Sequence, residues 1–522
     1  MEKVKIFADR NLCIGQIDKH IYASFIEHLG RAVYEGIYEP GHPKADADGF
    51  RTDVAQLIKE LNVPMVRYPG GNFVSNYNWR DGIGPKEKRP TRLDLAWFST
   101  ETNQFGTDEF MKWCKKFDIE PMMTVNMGTA GPKEAAELVE YCNHAGGTTI
   151  SDMRRANGAE DPYNIEYWAI GNEMDGPWQM GHLTAEEYAK KAVETAKMMR
   201  WANGEDKNFP DAKPLKLIVS GSSNHDMPTF PEWDRTVLEY TFPYVDRLSM
   251  HRYYEWDETR KHPLEDFMGS ADDMSAFINE IRATITYVKA KETGRLRRMG
   301  SRVTKKQLAH NVYISFDEWN IWTVNAPRSE PAWKKAPHIL EDVYTFQDML
   351  VFAGLMNSLL NNCDIVKTAC LAQLVNVIAP IMTETGGGTL KQSSYYPFLY
   401  VANNGTGETV RSISTSDKFE NMYGEARYIN EAVTHDAQKR EVCLFVCNYD
   451  QSAREVEAEL RSFGDLKAVE YVEMTHSNLF ATNNFSHPND VVPHNKDLPA
   501  VKDNKVELKL PAMSWSYLKF RY

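Results

Sequence analysis

Eight short apolar runs recur along the first four-fifths of the chain, mostly separated by segments with helical spacing. They cover residues 21–29, 63–68, 121–127, 165–170, 215–220, 245–250, 312–316 and 368–374. Continuously apolar runs of this length suit parallel strands buried on both faces. Eight strand–helix units predict an α/β fold, a closed (β/α)8 barrel. The intervening segments carry helix signals. Thr184 precedes Ala-Glu-Glu, with Glu187 at the third position, a capping-box pattern. Residues 272–292 place Met274, Phe277, Ile278, Ile281 and Ile285 at helical spacing.

After Asn404 the pattern changes to alternation, as in residues 441–448 and 506–510 and the ending Trp515-Ser-Tyr-Leu-Lys-Phe. Period-two alternation predicts antiparallel strands, and a C-terminal β-sandwich of jelly-roll type is expected. Val4-Lys-Ile-Phe-Ala is expected to add a strand to it. The expected division is therefore 17–404 for the barrel, and 1–16 with 405–522 for the sandwich.

Polar residues gather where the apolar runs end. Examples are Glu27-His28, Arg67 to Asn72, Asn172-Glu173, His251-Arg252-Tyr253, Asp317-Glu318 and Gln373. In barrels of this kind the C-terminal strand ends form the catalytic face. Glu173 and Glu318 stand out, because each follows a buried-strand run and is followed by tryptophan. Hydrolysis of a glycosidic bond needs such a pair. One group gives a proton to the leaving oxygen, and the other attacks or stabilises the cationic carbon.

Composition narrows the field. Of 522 residues, 42 % are apolar and the net charge is −13, which opposes nucleic-acid binding. The longest apolar stretch, around 371–382, is too short to span a bilayer. The N-terminus has no apolar h-region, so a cytoplasmic protein is expected. Seven scattered cysteines match neither a zinc pattern nor a disulfide framework, and buried reduced thiols are expected. Cys443 and Cys447 fall on one strand face. Residues 291–306 carry seven Lys or Arg and one Glu, and read as a solvated insertion between strands six and seven.

Four motifs, Phe25-Ile-Glu-His-Leu-Gly-Arg31, Arg67-Tyr-Pro-Gly-Gly-Asn-Phe73, Gly171-Asn-Glu-Met-Asp-Gly-Pro-Trp178 and Asp317-Glu-Trp-Asn320, resemble those of the α-L-arabinofuranosidases of glycoside hydrolase family 51. They occur in the family order, and the resemblance covers nearly the whole chain. It implies a barrel with a β-sandwich, a retaining mechanism, and assembly into oligomers, commonly hexamers. It puts the acid/base on strand four and the nucleophile on strand seven, where counting the runs puts Glu173 and Glu318. The basic stretch 291–306 looks longer than in other members.

Glu318 must be ionised to attack, and Arg67 is suited to hold it so. Glu173 must start protonated, which apolar walls such as Trp178 favour. For retention the two carboxyl groups should lie ~5–5.5 Å apart, against roughly 6.5–9.5 Å for inversion. Gly70-Gly71, between Arg67 and Asn72, permits close approach of a ligand. The resemblance further implies that Asn172 bonds the sugar 2-hydroxyl, Glu27 and Gln373 bind sugar, Tyr253 bonds the nucleophile, and Trp97 and Trp322 wall the pocket. His251 is expected outside the first contacts, as a supporting or core residue. Gly386-Gly387-Gly388 reads equally as a mobile loop at the pocket mouth or a plain linker. Two carboxylates supply acid, base and nucleophile, so no cofactor or metal is needed.

The leading expectation is an exo-acting retaining α-L-arabinofuranosidase acting on arabino- or arabinoxylo-oligosaccharides. A β-xylosidase or endo-β-glucanase on the same scaffold is the alternative. A non-catalytic sugar-binding protein has no need of a matched acid and nucleophile.

Overall fold

A computed structural model describes residues 3–205, 212–300, 303–323 and 330–522. The eight apolar runs form eight strands: Ala23–Phe25, Met65–Tyr68, Glu120–Val125, Tyr167–Ile170, Lys216–Val219, Arg247–Tyr254, Tyr313–Ile321 and Val366–Ala372. Numbered one to eight in that order, they pair in parallel and close into a barrel. Each is followed by a helix on the outside, from Thr52–Glu60 after strand one to Tyr395–Asn404 after strand eight. Strand four shows the logic of the double burial. Tyr167 and Ala169 point into the barrel, while Trp168 and Ile170 point out into the helical layer. Strand one is shorter than its run, because Lys19–Tyr22 forms a 3-10 turn capped by the Asp18 side chain.

The capping box at Thr184 is present, with its hydroxyl accepting from Glu187 N–H at 3.4 Å and Glu187 Oε2 accepting from Thr184 N–H at 3.0 Å. The long helix Ser270–Arg298 takes in the first half of the basic stretch, which lies between strands six and seven. Its cations pair at the surface, Lys291 with Glu239 at 2.9 Å and Arg295 with Glu292. Arg302 lies outside the described residues.

Residues 4–16 and 408–521 supply a ten-stranded sheet. Strand Val4–Gln16 sits inside it, antiparallel to Glu408–Ser414 and parallel to Arg454–Arg461. The sandwich is thus one continuous ladder that curls on itself. Val442, Leu444 and Leu518 from one half share a core with Val456, Leu508 and Leu510 from the other. Strand Glu441–Asn448 is buried on both faces. Its alternate residues Cys443, Phe445 and Cys447 pack toward the barrel. Between the two bodies runs the helix Phe346–Asn361, buried along its length except at Asn361. That is why its sequence is apolar all round instead of amphipathic. Six of the seven cysteines are buried; Cys13 is exposed. Among the described residues no helix is long and apolar enough to cross a membrane.

Candidate active site

Strand seven is irregular where its carboxylates stand. Against strand six the register runs Ser315↔Ser249 and then Glu318↔His251, one extra residue on strand seven. Against strand eight it runs Phe316↔Ala369 and then Trp319↔Leu371. A bulge of this kind re-aims side chains that would otherwise alternate across the sheet. Both Asp317 and Glu318 therefore reach the site. At the end of strand four a turn does the same work. Gly171 has φ +82° and Glu173 φ +45°, both in the left-handed region. A Cβ at Gly171 would also stand 2.9 Å from Met127 Cβ.

Glu173 and Glu318 meet across one cleft of about 700 Å3. His251 lies between them, and ligand atoms of the three residues are all within 4.8 Å of one another. Glu318 Oε1 accepts from Arg67 Nη1 at 2.6 Å, and its Oε2 accepts from the Tyr253 hydroxyl at 2.7 Å. Glu173 Oε2 accepts from the Trp178 indole N–H at 2.7 Å. Its Oε1 lies 2.9 Å from His251 Nδ1. The other imidazole nitrogen is 3.2 Å from Asp317 Oδ1, which also accepts from the Ser249 hydroxyl.

Burial by itself would push the proton off His251. The charges of Glu318, Asp317 and Glu173 outweigh it and raise the imidazole to about 10. The ring is therefore a cation at neutral pH, donating from both nitrogens. Burial likewise opposes ionisation of Asp317, but Arg67, His251 and Ser249 hold its carboxyl below the ordinary range. Two buried cations thus face two buried anions, the condition under which burying charge is tolerable. One histidine with two carboxylates also has the make-up of a divalent-cation site. Arg67 and the His251 imidazolium already supply positive charge there and would repel a further cation.

Glu27 also lines the cleft. Its Oε1 accepts from Phe73 N–H at 2.8 Å and from Trp97 Nε1 at 2.9 Å. Burial and the nearby charge of Glu318 nevertheless push it up to about 8, so it carries its proton at neutral pH. A Cβ at Gly71 would meet Glu27 Oε2 at 2.6 Å. The two glycines therefore make room for this carboxyl, whereas the sequence suggested room for a ligand. Gln373 Oε1 accepts from Glu27 N–H at 2.9 Å.

The comparisons with known proteins match this arrangement. Residues 57–263 match the α-L-arabinofuranosidase 1 domain, and residues 317–514 match the α-L-arabinofuranosidase C-terminal domain. An intracellular exo-α-(1→5)-L-arabinofuranosidase 1 of Bacillus subtilis is 44 % identical over 100 % of this chain and 99 % of its own length. An exo-α-(1→6)-L-arabinofuranosidase of Bifidobacterium longum is also 44 % identical, over 99 % of this chain and 97 % of its own. The solved structure of a family 51 α-L-arabinofuranosidase from Bifidobacterium longum superposes with a TM-score of 0.90, at 40 % identity and full coverage of both chains.

The chain belongs to the family 51 α-L-arabinofuranosidases.

In this family 51 chain, Glu27, Asn72, Trp97, Glu173, Tyr253, Glu318, Trp322 and Gln373 all line the cleft. Arg67 and Asn172 lie beneath it, joined through Arg67 Nη2 to Asn172 Oδ1 at 2.6 Å. Asn172 in turn donates to Asn72 Oδ1 at 3.3 Å. Trp322 packs edge-on against Tyr253, with ring centroids 5.2 Å apart. Trp97 is more than a wall, because its indole N–H holds Glu27.

His251 takes the supporting place expected of it: it is buried, its ring bonds Glu173 directly, and it stands 3.6 Å from Glu318 Oε2. Ser249, His251 and Tyr253 alternate along strand six and share its inner face. Of the two readings of glycines 386–388, the structure favours the plain connection, since they do not line the cleft. They turn the hairpin between Ile381–Thr383 and Thr389–Lys391, and Gly387 O accepts from His42 and Arg51 at 2.9 and 3.1 Å.

Proposed function

We propose that the protein is an exo-acting, retaining α-L-arabinofuranosidase that removes terminal arabinofuranosyl groups from arabinose-containing oligosaccharides by double displacement. The observation that carries this reading is the approach of Glu173 and Glu318 within 4.8 Å, with His251 between them. That spacing is nearer the ~5–5.5 Å typical of retaining pairs than the roughly 6.5–9.5 Å of inverting ones, which supports a covalent intermediate.

Glu318 attacks the anomeric carbon while Glu173 gives its proton to the departing oxygen. Glu173 then takes a proton from the water that hydrolyses the glycosyl-enzyme. Arg67 and Tyr253 orient the Glu318 carboxylate and keep it from rotating away. Both Glu173 oxygens accept hydrogen bonds, from His251 and Trp178, which suits the ionised form that serves as base. To act as acid, one oxygen takes a proton and gives up a donor. On the sugar side, Asn172 and Asn72 face the 2-hydroxyl, and Glu27 and Gln373 take the outer hydroxyls. A protonated Glu27 can donate as well as accept there.

The linkage stays with the substrate-specific part of the cleft, since two relatives of equal identity carry (1→5) and (1→6) in their names. A cytoplasmic location is supported by relatives named intracellular. An oligomer is expected from the family resemblance, and sedimentation would measure its size.

The test is hydrolysis of 4-nitrophenyl α-L-arabinofuranoside, with the xyloside and a soluble glucan as competitors. Glu318→Ala should abolish turnover, and azide should restore it with a β-configured azide product. Undiminished activity of Glu318→Ala, or preference for xyloside or glucan, would refute the assignment.

A further inference from the structure

Glu173 and Glu318 divide the barrel rim into two arcs. The groups expected on the terminal sugar come mainly from strands eight, one and two: Gln373, Glu27, Arg67 and Asn72. The other arc, over strands five and six, lines the cleft with Asn224, Asp226, Arg252 and Arg260. A different body completes it. Met422 and Tyr423 also line the cleft, and they are the turn of a hairpin between Lys418–Asn421 and Gly424–Arg427. That hairpin lies beyond the last barrel helix, within the C-terminal half-sandwich sequence.

The hairpin is fastened in place. Met422 N–H donates to the buried Asp266 carboxylate at 2.7 Å. Arg260 Nη1 lies 2.9 Å from Met422 Sδ. Tyr423 packs edge-on to Tyr254, with centroids 6.4 Å apart, and Arg252 lies 5.9 Å from the Tyr423 ring. A Cβ at Gly269 would stand 2.6 Å from the Asn421 side chain, so the helix there is glycine where the hairpin lands. Despite these ties Met422 is 57 % exposed, and Trp178, which lines the same cleft and bonds Glu173, is 52 % exposed. Exposed apolar side chains lining a catalytic cleft are a usual platform for a sugar ring's C–H face.

We propose that Met422 and Tyr423 of this hairpin, together with Trp178, form the subsite for the leaving sugars of an oligosaccharide, so that the C-terminal body helps set chain and linkage preference. This rests on the arabinofuranosidase reading above. Met422 is unbranched and deformable, which suits a surface that accepts more than one leaving geometry. Arg252 and Arg260 beneath the turn supply donors for ring hydroxyls.

The experiment compares kcat/KM for α-1,5-arabinotriose with kcat/KM for methyl α-L-arabinofuranoside, which has no second sugar. In Met422→Ala and Tyr423→Ala the triose-to-methyl ratio should fall about tenfold relative to the parent, or about 1.4 kcal/mol of transition-state binding. Gly269→Ala, which touches no substrate, should lower the same ratio by displacing the hairpin; thermal melting shows whether the fold survives. A ratio that stays within twofold of the parent in folded variants overturns the subsite. So does an equal loss on both substrates. A parent protein inactive on both substrates overturns the arabinofuranosidase reading and the subsite with it, whereas an active parent with an unmoved ratio removes the subsite alone.

Discussion

Replacing Arg67 by lysine isolates what the guanidinium fork does, because the charge stays. Arg67 is 1 % exposed and its two terminal nitrogens reach different acceptors, Glu318 Oε1 and Asn172 Oδ1, each at 2.6 Å. The plane of the fork also lies over the Phe25 ring, 4.6 Å from its centroid. A lysine ammonium can serve one of the two acceptors well and not both. The loss is one charge-assisted hydrogen bond, about 1.5–3 kcal/mol, plus a stacking contribution of about 0.5–1 kcal/mol. The sum of about 2–4 kcal/mol corresponds to a fall in kcat/KM of roughly 30- to 1,000-fold, if the fork orients Glu318 at the transition state. Arg67→Met removes one of the two cations that face Asp317 and Glu318 and breaks the buried pair, so about 3–5 kcal/mol should come off stability. The assay pairs kcat/KM on 4-nitrophenyl α-L-arabinofuranoside with thermal melting of both variants. Arg67→Lys within threefold of the parent would falsify the orienting role. Arg67→Met melting with the parent would refute the charge pairing.

Trp178→Phe deletes the indole donor to Glu173 while keeping the apolar ring, and kcat on the aryl substrate should fall about 10- to 100-fold, from the ~1.5–3 kcal/mol of such a bond. Stability should decline as pH rises from 6 to 10, measured by melting temperature. His251, raised to about 10, holds a proton that the unfolded chain loses near 6.5, so its contribution is full below that value and vanishes as pH passes 10. Glu27, raised to about 8, adds to the same slope from about 4.5 upward, because its unfolded carboxyl ionises first. Glu27→Gln should flatten the curve between pH 5 and 8, and an unchanged slope would contradict the protonated carboxyl. Gly354→Ala, in the buried helix Phe346–Asn361, should destabilise by about 1–3 kcal/mol in urea unfolding. A new Cβ there would collide with the Tyr449 hydroxyl and stand 3.2 Å from Ala271 Cβ, which outweighs the roughly 1 kcal/mol gained in helix propensity.

The barrel and the catalytic pair were legible in the sequence for one reason. A parallel strand buried on both faces must be continuously apolar, so the first polar residue after each run marks where the strand nears the rim, and in a closed barrel all eight strands share that rim. Counting runs was therefore enough to bring Glu173 and Glu318 to the same rim, with Glu27, Arg67, Asn172, Tyr253 and Gln373 around them. Alternation after residue 404 announced the second body in the same way.

What the sequence left open depends on contacts between residues far apart in the chain. The bulge that turns both Asp317 and Glu318 toward the site comes from pairing with strands six and eight, and no local pattern encodes it. The protonation of His251 and Glu27 is set by burial together with charges that residues 317 and 318 bring from elsewhere. The landing of the 418–427 hairpin on Asp266 and Gly269, some 150 positions earlier, is likewise a property of packing alone. Periodicity fixes which face of an element is buried, whereas only the folded chain decides which distant groups share that burial and so which charges they hold.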